Sequence, residues 1–363
     1  MDFATSPRAT LGVEWELALV DRATGELAGR AAEMLAAIDD RRVIGEFLTN
    51  TLELVSSPHE RVDAVMAELR LLRDRVAEAG STLGVDAIGV GTHPFSSWQV
   101  QTVAPAARYL RVVDQTGTWG RQLAIWGVHV HVGVPGTQYV VPVSHAFLAD
   151  MPLFLALSAS SPYWDGIDTG YESYRTMLFQ QLPTAGLPPE FDTWEDIVEI
   201  VDASVAAGIA EDYRELRWDV RPSPRYGTVE VRIADSMPTI REVAASTALS
   251  QCVAEEAMRG HDAGAPMRRL PDWAVAENKF RAARYGFGAE FIVDRHGALR
   301  SGQALLAERI DALAPVARDL GCETELLSCL RIAGETSVAR QRRAFRRGGR
   351  DAVIEQLRAE FRH

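Results

Sequence analysis

Three short stretches of this chain carry ionisable side chains at a spacing of two, and that spacing limits its fold more than any other feature. Successive side chains on an extended strand point to opposite faces. Thr228-Val229-Glu230-Val231-Arg232-Ile233-Ala234-Asp235 therefore places Val229, Val231 and Ile233 on one face and Thr228, Glu230 and Arg232 on the other. Leu11 to Val20 sets Leu11, Val13, Trp15, Leu17 and Leu19 against Glu14 and Glu16. Trp126 to Gly133 sets Val128, Val130 and Val132 against His129 and His131. One such strand alone reads as an edge strand with a solvated charged face. Three of them can line one face of a curved sheet and hold hard cations.

The rest of the composition narrows the classes that can use such a face. At 363 residues the chain can bury a sizeable core, as two domains or one large one. No apolar run approaches the roughly 20 residues that span a bilayer, and Met1 to Thr10 lacks the basic-then-apolar pattern of a signal peptide. A cytoplasmic location is the expectation. Cys252, Cys322 and Cys329 are few, odd in number and remote in sequence from the His and Glu pairs, which argues for buried thiols rather than a disulfide framework or zinc knuckle. A net charge of -12 speaks against nucleic acid or an anionic membrane as partner. The arginine cluster Arg340, Arg342, Arg343, Arg346, Arg347 and Arg350 is a local exception, read as a solvated helix face with phosphate or subunit contact as the alternative.

Along the chain, Val43 to Val55 carries Glu46 and Glu53 seven apart, a spacing that puts them on opposite faces of an unbroken strand. Either one of them lies outside the site, or the strand is bent by a bulge near Thr49-Asn50. Arg61 to Ala79 has helical apolar spacing, with Gly80 as its stop. His93 sits in Thr92-His93-Pro94-Phe95, where a short strand empties into a loop, a place suited to a ligand contact. Val143 to Ser158 reads as a buried helix kinked or broken at Pro152. Arg175, beside a proline-glycine loop, suits clamping of a carboxylate or phosphate. Asp192 with Glu195, and Thr239 with Glu242, read as capping boxes. Leu216 to Val220 is expected as a strand, and Arg221-Pro222-Ser223-Pro224-Arg225 as the reversal that follows it. Helical patterns fill the chain from Asp272 on. Strands joined by helices of varied length favour an α+β protein with one mainly antiparallel sheet.

On one face, Glu14, Glu16, Glu53, Glu230 and Glu46 repel one another unless cations balance them. Carboxylate oxygens favour Mg²⁺ or Mn²⁺, and an excess of carboxylates over histidines argues against structural zinc. Such metals neutralise phosphate oxygens, and Arg232 can stabilise a phosphoryl group in flight. No Walker-type glycine-rich loop with lysine occurs, so any ATP must be held by metals and arginines on a sheet.

Several blocks carry a resemblance. Ile88-Gly89-Val90-Gly91-Thr92-His93-Pro94-Phe95, Gly127-Val128-His129-Val130-His131-Val132-Gly133, Trp218-Asp219-Val220-Arg221-Pro222-Ser223-Pro224 and Gly227-Thr228-Val229-Glu230-Val231-Arg232 resemble the carboxylate-amine ligases of the YbdK type, also called glutamate-cysteine ligase type 2. The likeness runs from about Gly12 to the C-terminus and includes Ser161-Pro162-Tyr163, Asp168-Thr169 and Arg281 to Gly286. It implies a single glutamine synthetase-like ligase domain over residues 1–363, with a curved antiparallel sheet, helices on its outer side and, as in relatives, a homodimer. By the same resemblance Glu16, Glu46 and Glu53 would surround one metal and Glu14, His129 and Glu230 another. His131 would lie near ATP or the acyl group, and Arg232 would contact the transferred phosphate. Arg175, Arg221 and Arg225 are the candidates for substrate carboxylate or nucleotide phosphates. The implied reaction is phosphorylation of the glutamate γ-carboxyl by ATP and attack of an amine on the acyl phosphate, with weak glutamate-cysteine ligase activity. Two residues depart from the pattern: Trp15, where relatives often carry an acid, and Phe280, where tryptophan is expected. Trp15 faces away from Glu14 and Glu16, so the metal set stays intact. A different amine acceptor, or a nucleotide-binding regulatory protein with little turnover, remains open. A zinc amidohydrolase would also use a His-x-His strand, but no matching later set of histidines and aspartate completes it.

Overall fold

A computed structural model describes Met1–His363. Its main sheet has seven strands: β1 (Leu11–Asp21), β2 (Val43–Gly45), β3 (Thr51–Val55), β4 (Val85–Ile88), β5 (Val128–Gly133), β6 (Val220–Ser223) and β7 (Thr228–Val231). They run in the order β6-β7-β5-β1-β3-β2, and every pairing is antiparallel. β1 is the longest strand and the hub. One of its edges pairs with β3; the other pairs with β5 through Leu11–Trp15 and with β4 through Ala18–Asp21.

The alternation read from the sequence sets the two faces of this sheet. Leu11, Val13, Trp15, Leu17 and Leu19 join Val128, Val130, Val132, Val229 and Val231 in the largest core cluster. The helices Val140–Ser158 and Ile240–Asp262 supply the facing layer. Burying each large apolar side chain contributes about 1.5–3 kcal/mol, so this face dominates the cohesion of the sheet. Trp15 is fully buried, and its indole Nε1 donates to the carbonyl of Met237 (3.1 Å). A smaller core beneath the far end of β1 gathers Ala18, Val20, Ile88 and Trp126 against Ala344, Val353 and Leu357 of the C-terminal helix Ser337–Arg362.

Several local expectations need correction. Val43 to Val55 is a hairpin rather than one bent strand: Ile44 pairs with Glu53, and Glu46 sits in the connecting loop. The odd spacing of the two glutamates comes from this reversal. The chain turns between Pro224 and Gly227, because Arg221, Pro222 and Ser223 already belong to β6, whose start lies beyond the expected Leu216. The helix Val62–Leu83 runs through Gly80 and stops at Gly84, which has φ 68°. A Cβ at Gly80 would sit 2.4 Å from the carbonyl of Val85, so the glycine admits the start of β4. Pro152 does not break the helix Val140–Ser158, whose packing on nearly all sides outweighs one lost backbone hydrogen bond. The segment Thr137–Ser158 is, by length and mean hydropathy (1.7), apolar enough to cross a membrane, contrary to the expectation that no run approaches that length. Its apolar window is 94% buried within the fold, and the segment serves as a core helix. The Thr239–Glu242 capping box is present, whereas the other is formed by Thr193 and Asp196 in place of Asp192 and Glu195.

Of the C-terminal arginines, Arg343, Arg346 and Arg347 form the solvated face that the sequence suggested, and the other three turn inward. Arg340 pairs with Glu242 and Glu360, Arg342 with Asp168 and Glu172, and Arg350 with Glu26. They fasten the last helix, which kinks at Gly348–Gly349, to the rest of the chain.

Replacing Trp15 with alanine should lower stability by about 3–5 kcal/mol, through the cavity and the unpaired Met237 carbonyl. A urea midpoint equal to that of the parent would contradict this assignment of β1.

Candidate active site

The antiparallel register turns the spacing of two into rows that cross the sheet. Arg221 on β6 lies opposite Glu230 on β7, which lies opposite His131 on β5. His129 lies opposite Glu14 on β1, and Glu16 lies opposite Glu53 on β3. Arg232 continues past the end of β7, its backbone N–H donating to the carbonyl of Asp219 (2.8 Å). These side chains meet at a cleft of about 430 Å³, walled by the Glu46 loop, by Arg108, Tyr109 and Arg111 of the helix Ala107–Thr116, and by residues 211–217 and 221–226.

Glu230 has no exposed surface and is held by Arg221 (2.9 Å) and Arg232. Burial raises its pKa, but the two guanidiniums overcome this and bring it down to about 2. Glu14 accepts a hydrogen bond from His129 Nδ1 (2.9 Å). Burial again opposes ionisation, and the hydrogen bonds and charges of His129 and His131 hold the Glu14 carboxyl well below its usual range. Burial, with the charge of Arg232, lowers His129 to about 4. Glu53 is pushed well above the carboxylate range by burial and by the charges of Glu14 and Glu46. Glu16 is raised to about 7 by burial, which Arg175 only partly offsets. Glu46 caps its own loop, accepting from the N–H of Phe47 (2.9 Å) and from the Tyr109 hydroxyl (3.0 Å).

The donor set fits divalent cations. Donor atoms of Glu14, His131 and Glu230 lie within 4.8 Å of one another, as do those of Glu14, Glu53 and His129. His131 Nδ1 is tied to Thr228 Oγ1 (2.9 Å), which aims Nε2 at the carboxylates. Nε2 is buried without a hydrogen-bond partner, 3.5 Å from Glu14 and 3.6 Å from Glu230. An orphaned imidazole nitrogen facing two buried, ionised carboxylates is chemistry that a hard divalent ion satisfies. The triads differ from the grouping that the resemblance implies: Glu14 belongs to both, and His131 joins Glu230 where His129 was expected.

Two candidates do not reach the cleft. His93 is buried in its own loop, with Nδ1 accepting from the N–H of Phe95 and Ser96 and Nε2 donating to the carbonyl of Gly25 (3.0 Å). Every ring nitrogen is engaged, so the strand-to-loop position that suggested a ligand contact serves loop structure instead. Arg175 is 3% exposed and lies under the sheet face, with Nη1 donating to the carbonyl of Ile233 (3.3 Å). Arg225 does line the cleft, exposed at its rim beside Tyr226. Sequence reading missed the opposite wall, Arg108, Tyr109 and Arg111. The alternation signal cannot find a helix that joins the site from outside the sheet.

Solved structures share this fold at low sequence identity. A glutamate–cysteine ligase from Francisella tularensis, in complex with AMP, matches with a TM-score of 0.74 and 14% identity, over 100% of this chain and 90% of that one. A bifunctional glutathione synthetase from Pasteurella multocida matches with a TM-score of 0.69 and 16% identity, over 97% of this chain and 52% of that one. These likenesses show the fold, and the class, that of carboxylate-amine ligases, follows from the family. The family model for glutamate-cysteine ligase family 2 matches residues 10–360, and the chain belongs to that family. A protein of Clavibacter michiganensis subsp. michiganensis named "Putative glutamate--cysteine ligase 2" is 46% identical over 341 residues, 92% of this chain and 88% of that protein. One of Nocardioides sp. named "Putative glutamate--cysteine ligase 2-3" is 44% identical over 370 residues, 100% of this chain and 98% of that protein.

Because Glu14 serves both triads, Glu14→Gln should weaken Mn²⁺ binding by at least about tenfold, the loss usual even for groups that only support metal ligands. His93→Ala should leave Mn²⁺ affinity unchanged while costing about 1–3 kcal/mol of stability through unpaired backbone groups. Titration followed by electron paramagnetic resonance separates the two; equal affinity losses would overturn the division between site and loop.

Proposed function

We propose that the chain, acting as one ligase unit over residues 1–363, activates the γ-carboxyl of glutamate with ATP and joins it to the amine of cysteine. The products are γ-glutamylcysteine, ADP and phosphate. The observation that carries this reading is the meeting, in one cleft, of a carboxylate–imidazole set suited to divalent cations with Arg221 and Arg232, in a chain of the glutamate-cysteine ligase family 2. The AMP complex of the Francisella tularensis enzyme is in keeping with nucleotide use on this fold.

A carboxylate is a poor electrophile, and transfer of the γ-phosphoryl group turns one of its oxygens into part of a leaving group. Glu14, Glu16, Glu46, Glu53, His129 and Glu230, with His131 beside them, would hold Mg²⁺, or Mn²⁺ in its place. Bound there, these ions neutralise phosphate oxygens during transfer. Arg232 acts on the group in flight. Glu230 fixes one of its terminal nitrogens, and its Nε is without a protein partner. A fixed guanidinium stabilises developing charge without reorganising at the moment of reaction. Arg221 shares the clamp on Glu230 and so keeps that carboxylate ionised.

One observation favours a second acceptor. Ile44 is the only aliphatic side chain in the cleft lining, and no lining group singles out a thiol. An amine other than cysteine is therefore the alternative within the same chemistry.

Incubation with ATP, Mg²⁺ and glutamate, with each amino acid or amine added singly, should release ADP with cysteine and yield the γ-glutamyl product. Stimulation by another amine alone would favour the second acceptor, and no ADP under any condition would sink the ligase reading. Glu230→Gln and Arg232→Ala should abolish turnover while circular dichroism stays that of the parent.

A further inference from the structure

Seven arginines line the cleft, and five of them are paired with carboxylates. Arg221 and Arg232 hold Glu230, Arg214 holds Asp212, Arg111 reaches Glu211 and Glu215, and Arg108 lies 3.7 Å from Glu46. Arg225 has no carboxylate partner but is exposed at the rim beside Tyr226. Arg217 differs from all of these. It is half-buried in the wall, and its Nη1 donates to two neutral oxygens, Thr184 Oγ1 (2.9 Å) and the carbonyl of Glu215 (2.9 Å). Its backbone N–H is fixed as well, to the carbonyl of Thr184 (2.7 Å). Nη2 and Nε have no hydrogen-bond partner in the protein.

A guanidinium oriented by hydrogen bonds to neutral groups leaves its remaining N–H groups free for an anion. Burial and the charges of Arg232 and Arg221 lower the pKa of Arg217 against the opposing charges of Glu215 and Glu46, and neither carboxylate forms an ion pair with it. The planar fork of free N–H groups matches two oxygens of a carboxylate or phosphate.

We propose that Arg217 is a specificity-determining residue that binds an oxyanion of the substrate away from the metal-ligand carboxylates. The proposal rests on the ligase reading for the identity of the anions, which are either the second carboxylate of the acid substrate or a phosphate of the nucleotide.

The test uses the full chain with Arg217→Met and Arg217→Lys. The KM and the calorimetric affinity are measured for glutamate and for ATP separately. Loss of the charged contact should weaken one of the two by about 10- to 100-fold, with partial recovery in the lysine variant and kcat changed less than KM. A carboxylate ligand is assigned if glutamate is affected and if 4-aminobutyrate, which lacks the second carboxylate, shows equal affinity in parent and variant. A phosphate ligand is assigned if ATP is affected. Glutamate and ATP affinities both within about twofold of the parent in Arg217→Met, or a parent that binds neither anion, would overturn the site. A parent that forms no ADP yet shows Arg217-dependent anion binding would overturn the ligase reading and leave this one standing.

Discussion

The site depends on a single buried carboxylate. Glu230 has no exposed surface, and an ionised carboxylate carried alone into such surroundings costs several kcal/mol. Arg221 comes from the neighbouring strand, directly opposite, and Arg232 from two residues further on, just past the end of β7. Each member is tolerable only because the others are present. With Glu230 removed, two guanidiniums would be left close together without a counter-ion. The clamp therefore fixes the register of β6 against β7 and the direction of Arg232 at once, which joins the folding of this edge to its chemistry.

The same logic explains why the sheet is so strictly two-faced. A one-residue slip of β5 against β1 would move His129 and His131 into the apolar layer and bring valines into the cleft. The apolar rows of β1, β5 and β7 forbid that slip, because they bury more surface than the polar face could return. The polar face is thus held in place by the packing behind it. Away from the Glu230 clamp, where Glu14, Glu16 and Glu53 crowd together, the interactions of the polar face would not hold the register of β5 and β1 by themselves.

This division marks what was legible in the sequence. A period of two is a local signal, so Glu14, Glu16, His129, His131, Glu230 and Arg232 were placed on common faces before any pairing was known. Pairing itself is not local. The seven-residue gap between Glu46 and Glu53 reads as a bulge or as one glutamate outside the site, and only the register of Ile44 against Glu53 shows the hairpin. His93 looked like a ligand because it ends a strand, but both ring nitrogens are used by its own loop and by Gly25. Arg217 carried no signal, since an arginine in a short strand is ordinary. Its meaning lies in the absence of a carboxylate partner, which only the assembled wall displays.

Arg175 shows how far electrostatics reaches beneath the visible site. It was expected to clamp a substrate anion, yet it lies behind the sheet face, forms no ion pair, and leaves its Nε without a partner. A Cβ at Gly127 would fall 2.3 Å from its Nη2, so this glycine is the space through which the guanidinium passes. The N–H of the same residue donates to Glu16. The nearest acid below, Asp235, is already held by the N–H of Ser160 (3.0 Å) and by the hydroxyls of Ser161 (2.6 Å) and Ser173 (2.7 Å). Asp235 and Glu16 both favour the charged form of Arg175 against the effect of burial. A buried guanidinium with so few hydrogen bonds is tolerable where carboxylates gather around it. The cation in the floor offsets only part of the burial of the acid above it, for Glu16 still stands near 7 and Glu53 is pushed well above the carboxylate range. The remaining negative charge lies on the cleft side, where the donor triads open, and hard divalent cations are the groups that would complete it.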